Sequence, residues 1–283
     1  MVVYATWSST YLAIRIAVRE GSGFPPFSMA CARFLVAGLL LLAWSMLRNG
    51  RISLSRRDVG FAAVSGLLLM VGGNGLVSWA EQRADSGYAA LLVATAPIWV
   101  ALIESALERR RPTLLLIAAL TVGFAGVGLL TAPALLGGIH LAPVSVLALT
   151  AAPILWGIGT VVQHRQGQAL DLYASSGAQQ VSGAVGLAGL ALLVGEPAPH
   201  PTGEAWLAWA YLVVAGSLMG FTSFIRTLRL LPSNIAMTYA YVNPVGAVLL
   251  GWLVLQEPIT GWTIAGATLV LLGVAGVFRA RGG

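Results

Sequence analysis

The sequence is poor in charge and in cysteine, and it has no lysine. Only 9% of its 283 residues are charged and 58% are hydrophobic, whereas soluble domains carry about 25% charged residues. Such a chain cannot cover a soluble surface, so we expect a membrane protein. The single cysteine, Cys31, excludes an intrachain disulfide and a cysteine-based metal site. Neither a metal nor any other cofactor is expected.

The distribution of the basic residues indicates which kinds of partner the protein binds. All 16 are arginines, and they are scattered between apolar runs rather than grouped in the stripe that binds a phosphate backbone. We therefore expect no nucleic-acid partner and assign the positive charge to orientation in the membrane. Membrane lipid and a small-molecule substrate are the expected partners, and the chain is expected to act as a monomer.

Ten apolar runs of about 17 to 23 residues follow one another, and each suits a hydrocarbon core about 30 Å thick. With the N-terminus in the cytoplasm, twelve of the 16 arginines fall inside and two outside. The positive-inside rule therefore predicts that both termini are cytoplasmic. The runs are 2–18, 27–47, 59–80, 87–107, 113–130, 143–162, 173–194, 205–225, 233–255 and 260–278.

The two halves of the chain resemble each other at an offset of about 147 residues. The segment 86–98 matches 233–245, which pairs Pro97 with Pro244, and Trp7 corresponds to Trp156. Each half has five runs, an odd number, so the second half must be inverted relative to the first. Inverted repeats around a midplane site are typical of secondary transporters. We predict an all-α membrane protein with ten transmembrane helices in two inverted five-helix repeats, 1–130 and 143–278.

Motifs in both halves cover nearly the whole chain. They are Trp7 to Arg15, Pro25-Pro26-Phe27 with Arg33-Phe34-Leu35, Gly75 to Ala80, Ala89 to Pro97, Tyr239 to Pro244, and Gln256 to Thr260. Together these segments resemble the EamA family of the drug/metabolite transporter superfamily. The resemblance implies ten helices, residence in the bacterial inner membrane, and export of small metabolites or toxic compounds. One departure is Gln256, where members of the family usually have glycine.

Polar and aromatic side chains deep in the runs are the candidate substrate ligands, because in lipid such polar groups either bridge helices or line a cavity. For Asn74, which lies among glycines, both alternatives stay open. Deep aromatic rings can stack on an amphipathic substrate, whereas Trp206, Trp209 and Trp262 at helix ends fit an interfacial belt. The predicted substrate-binding residues are Trp7, Thr10, Asn74, Thr95, Trp99, Trp156, Tyr239 and Asn243.

Two prolines and one arginine complete the candidate site. Pro97 and Pro244 are predicted hinges or gating positions, because proline leaves a carbonyl one turn earlier without its hydrogen bond. Arg33 lies about two turns inside the second run. It either contacts an anionic group of the substrate or forms a structural pair with an acid such as Glu20 or Glu81.

These residues predict an exporter of amino acids or similar amphipathic metabolites that works by alternating access, and not an enzyme. No carboxylate lies at the predicted midplane, which argues against an exchanger driven by one central acid. A transporter of anionic cargo such as sugar phosphates or nucleotide sugars is an alternative, but only Arg33 could serve it. An intramembrane enzyme needs a buried Ser–His pair, and all three histidines fall in loops or at helix ends.

Overall fold

The structure is a computed structural model that describes residues 2–52, 55–109, 113–135, 143–165, 171–231 and 233–282. The regular secondary structure of these residues is helical throughout. We divide it into ten helices, of which α4 and α9 contain a break. They are α1 (Val2–Val18), α2 (Pro26–Asn49), α3 (Arg56–Ala80), α4 (Ser86–Leu107), α5 (Leu114–Leu135), α6 (Pro143–Arg165), α7 (Leu172–Leu193), α8 (Gly203–Leu230), α9 (Ser233–Ala236 and Tyr239–Leu255) and α10 (Gly261–Gly282).

Six of these helices are long and apolar enough to cross a membrane, namely α2, α3, α4, α6, α8 and α10. Shorter apolar stretches, Leu114–Leu130 and Val242–Leu255, lie in α5 and α9. An all-helical membrane protein is therefore confirmed. Ten crossings stay a prediction, because α1 and α7 are not among the helices that meet these requirements in the described part of the chain.

The helix ends follow from local sequence signals. A capping box starts α3, in which Ser55 and Asp58 each accept a backbone N–H of the other. Asp171 accepts two backbone N–H groups from the first turn of α7. The first turn of α2 holds Pro26, where the missing N–H breaks no helical hydrogen bond. The same helix ends at Gly50, which adopts the left-handed conformation common at helix C-termini.

Gln256, which departs from the glycine that the resemblance implies, is the residue at which α9 ends. Gln256 closes this helix with a φ of 56°, in the left-handed region. A side chain with a Cβ is disfavoured there, whereas glycine adopts this conformation without steric cost. The residue that differs from the family pattern therefore occupies the position where glycine is physically favoured.

Two helices that correspond in the two halves are interrupted. The break in α4 falls at Ala94 and Thr95, and Pro97 lies in the first turn of the piece that follows. The break in α9 falls between Ala236 and Tyr239, whereas Pro244 lies inside the second piece. The two prolines therefore have different relations to the breaks. Their role as hinges stays a prediction.

The helices α3 and α8 also correspond, and each contains a π-helical segment. These segments are Leu67–Gly75 and Leu212–Phe221. A π turn carries more residues than an α turn and is found frequently at functional sites. Both segments contribute residues to the cavity described below.

Glycines allow helices from opposite halves to pack closely. A Cβ added at Gly38 of α2 would lie 2.9 Å from the carbonyl oxygen of Gly177 on α7. A Cβ added at Gly273 of α10 would lie 2.5 Å from the Cα of Gly123 on α5. Small residues at such contacts are a usual basis of helix association in lipid. The second and fifth helices of one half thus pack on their counterparts in the other.

Carboxylates hold helix N-termini at one end of the bundle. Glu196 accepts two backbone N–H groups at the start of α2, and Glu257 accepts two at the start of α4. Negative charge at these positions is favoured by the helix dipole. At the opposite end, Ser45 donates a 2.8 Å hydrogen bond to Asp171. We call the first end the acidic end; it comprises residues 19–25, 81–85, 194–202 and 256–260.

Candidate functional site

A cavity of about 60 Å³ lies between helices of both halves. This volume accommodates several water molecules, so a metabolite requires the walls to move apart. The walls are mostly apolar with a few polar groups, as is usual for small-molecule sites. The lining residues are Trp7, Thr10, Tyr11, Ile14, Arg33, Phe34, Met70, Gly73, Asn74, Val77, Val93, Ala152, Trp156, Gly216, Phe221 and Tyr239.

Three aromatic residues from three helices form the core of this lining. The rings of Trp7 and Trp156 meet edge to face with their centroids 5.4 Å apart, and Trp7 meets Tyr239 in the same way at 5.1 Å. The indole N–H of Trp156 donates a 2.9 Å hydrogen bond to the Tyr239 hydroxyl. Phe224 of α8 packs against all three rings from behind the lining. This packing holds the three rings against one another on the cavity wall.

Glycines in the two π-helical segments make room for the indoles. A Cβ added at Gly73 would lie 2.6 Å from Cε3 of Trp156. A Cβ added at Gly220 would overlap the indole of Trp7, whose N–H donates to the Gly216 carbonyl at 3.3 Å. Each indole therefore lies on a glycine of the opposite half.

The cavity contains one charged side chain, that of Arg33. It is 3% exposed, and its Nε donates a 2.9 Å hydrogen bond to the Ser217 hydroxyl. Its guanidinium lies over the Phe34 ring at 4.7 Å, and its Nη1 has no hydrogen-bond partner among the described residues. A buried guanidinium with an unused donor is costly unless an acceptor reaches it.

The described residues show no ion pair of Arg33 with Glu20 or Glu81, the structural alternative predicted for it. Glu20 faces Arg83 at 3.9 Å, and both carboxylate oxygens of Glu81 lack a hydrogen-bond partner in the described part of the chain. The Arg33 side chain instead lies between Phe34 and Ser217 on the cavity wall. Contact of Arg33 with an anionic group of the substrate stays a prediction.

Asn74 and Thr10 add neutral polar groups to the wall. The Asn74 amide donates a 3.3 Å hydrogen bond to the Leu69 carbonyl, within its own π-helical segment. The Thr10 hydroxyl donates to the Trp7 carbonyl at 2.9 Å. The Asn74 amide therefore lines the cavity and bonds within its own helix, and does not bridge to another helix through this hydrogen bond.

Three predicted ligands lie away from the cavity. The Thr95 hydroxyl donates to the Leu92 carbonyl at the break in α4. The Trp99 ring packs edge to face on Phe124 of α5, at 5.3 Å. Asn243 is 3% exposed and accepts a 3.4 Å hydrogen bond from the Ser8 hydroxyl. Each of the three therefore has an interhelical or local partner instead of a place in the lining.

Sequence reasoning missed Tyr11 and Val77, which line the cavity. Helical spacing could have found them, because residues separated by three, four and seven positions share one helix face. The predicted residues Trp7 and Thr10 place Tyr11 on the same face of α1, and Asn74 does so for Val77 on α3. The neighbours on these faces, Ile14, Met70 and Gly73, complete the same spacing.

Apolar helices that enclose a narrow aromatic cavity between two halves define a multi-pass membrane protein with a small-molecule site. The family comparison gives the narrower class. The chain belongs to the EamA-like transporter family, whose model matches residues 1–132 and again residues 143–279. It is therefore a membrane transporter.

Individual relatives agree with the family. The "Uncharacterized inner membrane transporter YedA" of Escherichia coli (strain K12) is 36% identical over 251 residues, which are 88% of this chain and 79% of that protein. The "Uncharacterized transporter YoaV" of Bacillus subtilis (strain 168) is 24% identical and covers 95% of this chain and 91% of its own length. The name of the Escherichia coli relative supports residence in the inner membrane.

Two further matches differ in what they show. A "Probable terminal-alkyne amino-acid exporter" of Streptantibioticus cattleyicolor is 26% identical over 161 residues, 56% of this chain and 51% of that protein. A solved structure, "Crystal structure of protein", has a similar fold, with a TM-score of 0.69. The match covers 97% of this chain and 93% of the chain in that structure, and the two sequences are 22% identical. The crystal structure shows a shared fold.

Proposed function

We propose that the protein exports small amphipathic metabolites that carry a carboxylate, such as amino acids, by alternating access. The observation that carries this proposal is the Arg33 guanidinium, buried in an otherwise neutral aromatic cavity with an unpartnered Nη1. A carboxylate is the complement of this group, because charge-assisted hydrogen bonds to arginine are strong and directional. The rings of Trp7, Trp156 and Tyr239 suit the apolar part of such a cargo.

Transport requires that the cavity open in turn to each side of the membrane. The inference of ten crossings in two inverted halves is supported by the repeated family match and by the paired breaks and π-helical segments. It is also supported by the packing of α2 on α7 and of α5 on α10. A site at the contact between inverted halves is the arrangement in which rocking of the halves alternates access.

The direction of transport and the orientation rest on separate arguments. The name of the Streptantibioticus relative supports export of an amino acid. The excess of arginines in the segments predicted to be inside supports cytoplasmic termini and therefore an acidic end on the outside. Cysteines introduced at His200 and at Arg51 in a Cys31→Ala background should be labelled by an impermeant maleimide from outside and from inside, respectively.

The transport test uses the full chain in proteoliposomes with a panel of radiolabelled protein amino acids. Counterflow of at least one amino acid is expected, and Trp156→Ala and Asn74→Ala should each reduce it. Trp262→Ala is the matched control, because Trp262 is 45% exposed and lies outside the cavity lining. Unchanged flux in both cavity variants would contradict the assignment of the site.

Arg33→Gln tests the class of cargo. This substitution keeps a hydrogen-bond donor but removes the charge that a carboxylate requires. For an amino acid that the wild type transports, we expect uptake to fall at least about tenfold, because hydrogen bonds to charged groups contribute about 1.5–3 kcal/mol. Uptake of the corresponding amino-acid amide should change little. If uptake of the amino acid and of its amide falls equally, Arg33 does not bind the carboxylate.

A further inference from the structure

A second buried ionisable group lies one turn beyond the cavity, at the acidic end. Glu81 follows α3 directly, one helical turn after Val77 of the cavity wall. Its side chain is fully buried, with a residue exposure of 0%. Neither of its carboxylate oxygens has a hydrogen-bond partner among the described residues. An ionised carboxylate without a donor is strongly disfavoured in such a place.

The neighbours of Glu81 do not supply the missing donors. The Arg15 guanidinium donates to the backbone carbonyls of Glu81 and Gln82, both at 2.6 Å, and not to the carboxylate. Glu257 contributes a second negative charge that interacts with Glu81, and its own oxygens accept hydrogen bonds from Ser86 and Gly87. One of these two carboxyl groups is thus provided with donors and the other is not.

We propose that the Glu81 carboxyl is a proton-binding site at the acidic end of the bundle, one turn beyond the cavity. It is protonated in the conformation described and ionised in a conformation that admits water to that end. The proton is exchanged with the aqueous phase when the acidic end opens. The site is built from a buried acid without donors beside a second acid whose donors are fixed.

The electrostatics of the surroundings agree with this geometry. Burial, and then the negative charge of Glu257, raise the pKa of Glu81 well above its usual 4.5, although the positive charge of Arg15 acts in the opposite direction. Burial and Glu257 also raise the pKa of Asp85, which precedes α4. Both shifts favour the neutral acid.

The groups that face Glu81 come from several elements. Tyr11 and Arg15 of α1, Asp85 before α4, and Glu257 after α9 are the ionisable neighbours that interact with it or with its partners. The outer turns of α6, from Pro143 to Trp156, contain no ionisable side chain. On α2, the Arg33 side chain is directed to Ser217. Arg15 is therefore the cation whose charge favours the ionised form of Glu81.

The sign of the pH effect follows from linkage. A carboxyl whose pKa is raised in one conformation binds its proton more tightly there, so low pH stabilises that conformation. As the pH rises above the ordinary value of 4.5, the alternative conformation with an ionised Glu81 gains population. Opening of the acidic end is thus favoured by rising pH and is accompanied by release of one proton.

Infrared difference spectroscopy of the full chain in lipid vesicles tests proton binding without any substrate. At about pH 6 an ordinary glutamate, with a pKa of about 4.3, is almost fully ionised. The wild type should nevertheless show the C=O stretch of a protonated carboxyl. Because the pKa of Asp85 is raised as well, Glu81→Gln is introduced in an Asp85→Asn background, where it should abolish the band. Asp85→Asn and Glu20→Gln are the controls and should keep it; the Glu20 side chain is 83% exposed.

Three results would overturn the proposal. The first is a wild type without the band, and the second is an Asp85→Asn/Glu81→Gln variant that keeps it. The third is a Glu81→Gln variant that does not fold, because glutamine reproduces the size and neutrality of the protonated acid. The coupling to transport rests on the proposed function: with a transported amino acid, the pH dependence of counterflow should disappear in Glu81→Gln. The spectroscopic result does not depend on transport, so the two proposals fail separately.

Discussion

The two halves of the molecule build the cavity from the same scaffold contacts but from different polar groups. Trp156 lies on Gly73, and Trp7 lies on Gly220. At an offset of about 147 residues, Gly220 is the counterpart of Gly73. The polar residues do not repeat. At the same offset, Arg33 of α2 corresponds to Gln180 of α7, which is fully buried and outside the cavity lining.

The same contrast holds for the hydrogen bonds of the indoles. Trp156 donates to the Tyr239 hydroxyl at 2.9 Å, whereas Trp7 donates to a backbone carbonyl at 3.3 Å. At the offset of the repeat, Tyr239 corresponds to Leu92, which has no polar group in its side chain. The repeated contacts thus shape the cavity, and the polar groups that line it differ between the halves.

The largest effect is expected where carboxylates of the second half hold helices of the first. Glu257→Ala removes three hydrogen bonds, including that of the Ser86 hydroxyl. We expect the free energy of unfolding to fall by about 3 kcal/mol, because bonds to charged acceptors are strong and the freed donors stay buried. Thermal unfolding in detergent measures this, with Glu20→Ala as the exposed control. An unchanged melting temperature would show that the start of α4 does not depend on Glu257.

A smaller effect is expected from breaking the contact that the two halves share. Gly73→Ala places a methyl group 2.6 Å from the Trp156 ring. Overpacking of this kind costs about 1–3 kcal/mol, and Gly220→Ala should have a similar cost because it meets Trp7. Gly189→Ala is the matched control, because an added Cβ there meets nothing within 4 Å. If Gly73→Ala and Gly220→Ala lower the free energy of unfolding no more than Gly189→Ala does, these two glycines do not position the indoles.

Much of the fold was predictable because lipid dictates the length and composition of a spanning helix. The runs 27–47 and 87–107 lie inside α2 and α4. Pro97 also signals the break in α4, since proline has no N–H for the carbonyl four residues earlier, that of Val93, where the first piece of α4 ends. The π-helical segments were not predictable, because their register depends on packing against Trp156 and Trp7 across the two halves.

The candidate site was predictable in part for a similar reason. The repeat offset identified Trp7 and Trp156, and helix periodicity extends the wall to Tyr11. The burial of Glu81 had no signal in the sequence, because the residue follows an apolar run at the start of a short polar loop. Its burial results from contacts with segments distant in the chain, on α1 and after α9.

The smallest effect distinguishes the hydrogen bonds of the two indoles. Trp156→Phe and Tyr239→Phe each remove the 2.9 Å bond between these residues, and a double-mutant cycle should give a coupling of about 1 kcal/mol. Trp7→Phe loses only the longer bond to the Gly216 carbonyl, so its polar contribution should be smaller. Thermal unfolding of the single and double variants measures both. A coupling near zero would mean that Tyr239 contributes packing to the wall but that its hydrogen bond to Trp156 does not stabilise it.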